Sequence, residues 1–260
     1  MREYEWHASR SPGAMVRCVR HRHAPGCDRQ LRHFALNCCR LAWPALTAEA
    51  SRSAVEAAEL YMAGLAPRDQ FLAALADATT AATVAQGACV RACGAAAQTA
   101  IEALALRTSA ALAARLVVWV CTHGYYEGLL AHVRDALAFL GVVRGQSAVL
   151  ALRGQLCALV RETCGNPFRP VAVAPGWRTD TALALALGVY KTRDFGAMPI
   201  LADALQDAGC YDAPLLSHCR DATLGHVRGC WALDLLLGDG WTDPLRAYNT
   251  YQIPFHTGGR

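Results

Sequence analysis

The sequence predicts an all-α protein: an Ala-rich helical bundle followed by a compact C-terminal helical module, with no significant β-sheet. Three observations carry this reading. Almost no window alternates apolar and polar residues with period two, as a half-buried strand would. Apolar residues recur instead at helical spacing, as in Leu31, Phe34, Ala35, Cys38 and Leu41. Glycine and proline punctuate that pattern where helices should stop, at Gly64, at Gly165-Asn166-Pro167, at Gly209 and at Gly238.

Taken in order, Asp28 is placed to cap a helix carrying the Leu31–Leu41 stripe, with Arg29, Arg32 and Arg40 largely off it and Pro44 ending it. Thr47 then caps a second helix with Val55, Ala58 and Met62 inward, closed by Gly64. Pro67 suits a helix first turn and Asp69 suits its positive end. From there an Ala/Thr-rich region to His123 reads as two helices broken near Gly94. Further helices are expected over Tyr126–Leu140 and Ser147–Thr163. Gly165 is suited to the C′ position, and Asn166-Pro167 forbids continuation.

A proline-punctuated connector, through Phe168, Arg169, Pro170, Pro175 and Gly176, separates this bundle from the C-terminal helices. Thr179 or Asp180 caps a helix with Leu183, Leu187 and Tyr190 inward. Pro199 opens the next, with Leu201 and Leu205. Asp212 caps a short helix through Leu215, Leu216 and Cys219. After Gly225 a last apolar helix carries Val227, Cys230, Trp231, Leu233, Leu236 and Leu237. The organisation expected is therefore a bundle over 1–163, a module over 164–238, and a disordered tail over 239–260 rich in Gly, Pro and polar groups.

Composition bounds the function. Hydrophobic residues make up 54% of the 260 and charged residues 18%, enough apolar surface for a packed core. The charges within Met1–Arg10 and the absence of an apolar stretch after them read as no secretion signal, and the expected location is cytoplasmic. The 12 cysteines then read as reduced, buried thiols, because several fall on apolar helix faces. The stretches Leu112–Cys121 and Leu129–Val143 are interrupted by charge, so no membrane span is expected.

Two blocks carry a family resemblance. The first is LRHFALNCCRLAW over Leu31–Trp43 with SRSAVEAAELYMAGLA over Ser51–Ala66. The second is CGNPFRPV from Cys164, MPILADALQDAGC ending at Cys210, and HVRGCWALDLLLG from His226 to Gly238. On these the chain resembles a paralogue-rich family of uncharacterised planctomycete proteins, and so a bacterial protein. Its C-terminal block is similar to a module at the ends of otherwise different members. The resemblance implies a shared helical module and brings no activity with it. Leucine is common at the Cys219 position in similar sequences, which counts against Cys219 as a ligand.

The chemistry-bearing cluster is Cys210, His218, Cys219, His226 and Cys230. Zinc takes four N or S ligands in a tetrahedron, and residues four apart such as His226 and Cys230 would share one side of a helix. Against that, no Cys-x-x-Cys pair is present and Cys230 also fits the apolar stripe, so no cofactor is the preferred expectation and zinc the alternative. Cys89 and Cys93 read as core packing. No nucleophile motif, metalloprotease motif or phosphate-binding Gly loop accompanies Asp194, Asp203 or Cys164, which disfavours an enzyme.

Phe168 and Arg169 on a stiff loop, with Trp177 nearby, are suited to contact a protein partner. The competing expectation is that the two rings plug the joint while Arg169 binds helix-end carbonyls. The segment Pro199–Cys219 has helix-turn-helix spacing, but its second helix lacks base-reading side chains. Nucleic acid is disfavoured as a partner and would use the Arg/His stretch from Arg17 to His33 through phosphates alone. The function expected is a non-enzymatic helical interaction or scaffold protein. The alternatives are a zinc-stabilised module and non-specific nucleic-acid binding.

Overall fold

The computed structural model describes residues 1–22, 27–41, 43, 48–92, 147 and 149–238. Among the described residues every regular element is helical and there is no strand. None of the described helices is long and apolar enough to cross a membrane. The break near Gly94, the helix over Tyr126–Leu140 and the tail lie outside the described residues.

The N-terminal helices are α1 (Glu3–Ala8), α2 (Pro12–Arg22), α3 (Cys27–Leu41), α4 (Glu49–Met62) and α5 (Arg68–Ala92), followed by α6 over 149–164. The C-terminal helices are α7 (Asp180–Thr192), α8 (Met198–Asp207), α9 (Ala213–Arg220) and α10 (Trp231–Leu237). Helices α1 and α2 are additions to the sequence expectation. The Glu5 carboxylate accepts the Arg2 N–H at 2.6 Å, which starts α1. In α2 the buried Met15, Val16 and Val19 are masked in sequence by interleaved arginines. Its basic groups gather in the last turn, where the helix end is negative.

Two apolar clusters organise the chain. The first gathers Trp6, Met15, Leu31, Phe34, Val55 and Val160 from α1 to α6. The second gathers Ala182, Val189, Leu201, Leu205, Leu215 and Leu233 from α7 to α10. Helices α4 and α5 form a hairpin closed by Gly64 (φ 65°), with the Tyr61 and Phe71 rings stacked 5.0 Å apart.

Several end signals hold. Thr179 Oγ1 accepts from Ala182 N at 3.2 Å and Asp212 Oδ1 from Leu215 N at 2.9 Å, each satisfying an otherwise unpaired first-turn donor. Gly165 (φ 65°) donates to the Arg161 carbonyl at 2.9 Å and ends α6. Others shift. α3 begins at Cys27, ahead of Asp28. The N-cap of α4 is Ala48, without a side-chain bond. In α7 the buried face is Ala182, Ala186, Val189 and Tyr190, while Leu183 and Leu187 are only half-buried. Small residues on that face let neighbouring helices approach closely.

A polar seam lies between the two clusters, and α3 supplies one side of it. Arg29, His33, Asn37 and Arg40 fall on one face of α3 by their spacing. Arg29 Nε donates to Asp234 Oδ2 at 3.3 Å and its Nη2 to the Tyr190 hydroxyl at 3.3 Å. His33 Nε2 lies 3.3 Å from that hydroxyl. Asn37 Nδ2 donates to the Arg228 carbonyl at 3.0 Å. Arg228 in turn donates to the Tyr190 and Lys191 carbonyls at 3.2 and 3.1 Å, closing the end of α7. Burial pushes the Asp234 carboxyl up, and Arg29 opposes that shift.

At the far end of the seam, Arg40 holds the buried Glu59 carboxylate with two bonds of 2.8 and 2.6 Å. Arg193 donates to the same carboxylate. Arg193 is the C-cap of α7 with φ 61°, a left-handed position that glycine or asparagine would ordinarily occupy. The ion pair with Glu59 accounts for an arginine there. Gly229 (φ 84°) completes the seam: a Cβ on it would overlap the buried His33 ring.

Two stability outcomes are expected. Gly229→Ala should cost more than about 2 kcal/mol in chemical denaturation, from φ strain plus overpacking, whereas Gly154→Ala on the open side of α6 should gain about 0.5–1 kcal/mol. Equal effects at the two sites would show that the backbone at 229 does not press on His33. Glu59→Ala should lose about 2 kcal/mol, since the bonds it accepts are charge-assisted and its own oxygens are shielded from water. A loss under about 0.5 kcal/mol would place Glu59 among ordinary surface charges.

Candidate metal centre

Four side chains converge beside the seam: Glu162 from α6, His218 from α9, His226 from the loop after α9, and Cys230 at the N-cap of α10. One ligand atom from each lies within 4.8 Å of all the others. His218 Nε2 is 3.1 Å from Cys230 Sγ and 3.6 Å from Glu162 Oε2, and His226 Nδ1 is 3.0 Å from Glu162 Oε1. A zinc tetrahedron with Zn–N and Zn–S bonds of about 2.0–2.3 Å has edges of about 3.3–3.6 Å. The two separations from His218 Nε2 lie within about half an ångström of such edges, while His226 Nδ1 pairs with the other oxygen of Glu162.

The surroundings are largely closed to solvent. The side chains of Glu162 and His226 are 7% and 5% exposed, and Cys230 is fully buried. The Trp231 ring lies 4.8 Å from that of His218, and the Phe195 ring 6.2 Å from that of His226, so aromatic carbon forms part of the wall. Nε2 of His226 is buried without a hydrogen-bond partner among the described residues. The nitrogen that meets Glu162 is Nδ1, so this second ring nitrogen is not the one that a metal shared with Glu162 would complete. Burial lowers the His218 pKa, with the Glu162 carboxylate opposing, and so favours the neutral ring that can ligate. Burial pushes the Cys230 thiol well up, with Glu162 adding to the shift, so the thiolate forms there only beside a positive charge.

No protein-family model, curated protein or solved structure matches this chain. The centre is therefore read from its own chemistry.

Of the sequence candidates, the structure brings together His218, His226 and Cys230. The helix expected to align the last two does not exist: α10 starts at Trp231, and residues 225–230 are irregular. Gly229, with φ 84°, breaks the helix. His226 and Cys230 meet through the folded loop instead. Cys210 and Cys219 lie in the second apolar cluster, outside the four-residue group. Burial raises both thiols, Cys219 to about 12.

Glu162 is the candidate ligand that sequence reasoning missed, lying far from the others along the chain. Its signal was positional: an acid in the last turn of α6, where the helix end disfavours negative charge, calls for a compensating partner.

At the connector, Phe168 packs on the first cluster with the Arg22 guanidinium 3.9 Å above its ring, and Trp177 packs on the second cluster. Arg169, whose side chain is 71% exposed, pairs with Glu3 at 2.7 Å. Helix-end carbonyls are bound by Arg161 instead, which donates to Trp6, His7 and Ser9 at 2.8, 2.9 and 3.1 Å. The basic stretch divides: Arg17, Arg20, His21 and Arg22 are on the surface of α2, while Arg32 and His33 are buried. Arg17, His21 and Arg22 line an open cleft with Met1, Ala14 and Cys18.

Native protein treated with iodoacetamide at mildly alkaline pH should leave Cys210, Cys219 and Cys230 unlabelled, and unfolding should label all three. Burial excludes the reagent, and the raised pKa keeps Cys219 a thiol in that range. Peptide mass mapping reads the outcome. Early labelling of Cys219 would contradict the described packing.

Proposed function

We propose that this protein is a non-enzymatic helical scaffold stabilised by one structural zinc ion held by Glu162, His218, His226 and Cys230. The observation that supports it is the convergence of four protein ligand atoms within 4.8 Å in a buried pocket. A catalytic zinc keeps one coordination position open to water or substrate, whereas a structural one is closed by the protein. Here side chains would supply all four ligands, and the Trp231 and Phe195 rings form part of the wall. Mixed N, S and O donors in a tetrahedron suit zinc better than calcium or magnesium, which take oxygen.

The ion would convert Cys230 to a thiolate and supply the positive charge that its burial otherwise withholds. The Glu162 carboxylate would lie next to a cation, offsetting its unfavourable place at the end of α6. A helical scaffold presents faces to partners, and the exposed Arg169 and the basic surface of α2 are the polar features open to one.

Mass spectrometry of metals on protein purified without a histidine tag tests the reading. Wild type should carry close to one zinc per chain, and His226→Ala and Cys230→Ser should carry little. Cobalt(II) substitution should give a thiolate charge-transfer band that Cys230→Ser abolishes. Chelation should lower Tm by about 10 °C, the shift that ~4 kcal/mol of bound-ion stabilisation produces in a chain of this size. Trace zinc that His226→Ala leaves unchanged would overturn the proposal.

A further inference from the structure

The four ligands are divided between the two apolar clusters. Glu162 projects from α6, whose Leu159, Val160 and Cys164 belong to the first cluster. Cys230 belongs to the second cluster, and His218 lies on α9 between Leu216 and Cys219 of that same cluster. The boundary is otherwise largely polar: Arg29 to Asp234, Asn37 to the Arg228 carbonyl, Arg193 to Glu59. Apolar contacts among the described residues also cross it, with Val227 packed on the first cluster and Trp231 set against the backbone of Gly165. Buried ion pairs add little net stability, since the cost of removing both charges from water offsets most of their attraction. The polar bonds across the boundary therefore add little to the docking of α7–α10 on the bundle.

We propose that the metal is a latch: by joining Glu162 of the bundle to His218, His226 and Cys230 of the C-terminal helices, a zinc ion couples its own binding to the docking of the two parts. This rests on the metal reading above. An undocked module could offer only three ligands, and the docked form offers four. A ligand shifts a conformational equilibrium only by its difference in affinity between the two states, and that difference is here the contribution of one carboxylate. The coupling is reciprocal: zinc favours docking by the same factor by which docking tightens zinc. It resides in Glu162, while the capacity to bind metal resides in the other three.

Hydrogen exchange on the full chain, zinc-loaded and chelated, tests this in wild type, Glu162→Gln and Glu162→Asp. Residues 165–179, which join the two parts, provide the readout. In wild type, chelation should speed exchange of 165–179 about tenfold, the usual size of such a coupling. Glu162→Gln should still take up cobalt(II) through His218, His226 and Cys230, more weakly, yet show the same exchange with and without metal. Glu162→Asp should restore part of the difference. Wild type that binds zinc but exchanges equally in both states would overturn the latch and leave the metal site standing. Wild type that takes up no metal would overturn both. A Glu162→Gln protein whose exchange still responds to metal as wild type does would show that the carboxylate is not the link.

Discussion

The structure depends on one helix having two incompatible faces. α3 buries Leu31, Phe34 and Ala35 in the first apolar cluster, while Arg29, His33, Asn37 and Arg40 face the seam. A helix with a polar face ordinarily turns it to water. Here the side chains opposite supply what water would have: a carboxylate, a phenol, a backbone carbonyl and a second carboxylate. Each partner comes from a different element, so the set is complete only when α4, α7, the 225–230 loop and α10 are all in place. Arg193 in its left-handed cap and Gly229 against His33 are local strains or omissions that this arrangement requires.

Such a seam specifies more than it stabilises. Buried polar networks reject alternative packings, because any shift strands a charge, but their net free energy is small. Both apolar clusters mix alanine, leucine and cysteine, and the buried rings of Trp6, Phe34, Tyr61 and Phe71 belong to the first. The zinc ion proposed between Glu162 and the His218–His226–Cys230 set would add a metal bond at the same boundary.

Much of the local structure was legible. Thr179, Asp212, Gly165, Gly209 and Gly238 act as helix boundaries for reasons visible in their side chains or lack of them. The helices missed, α1 and α2, are short or thickly interleaved with arginine, so their periodicity is weak. The face of α7 differs from the expected one because leucine outweighs alanine in a hydrophobicity pattern, whereas close helix packing selects the small residues. The candidate site was half legible. His218, His226 and Cys230 stand out by residue type, but the expectation reached them by way of a helix that Gly229 forbids.

The sequence by itself determined that the chain is helical, where most helices end, and which residue types could ligate a metal. These are consequences of backbone sterics, capping and side-chain chemistry within a few residues. Only the tertiary structure decided that Arg29, His33 and Asn37 face inward, that Cys210 and Cys219 lie in the second apolar cluster, and that Glu162 joins His218, His226 and Cys230. The reason is physical. A side chain's environment is set by whichever distant element covers it, and local spacing carries no record of that element.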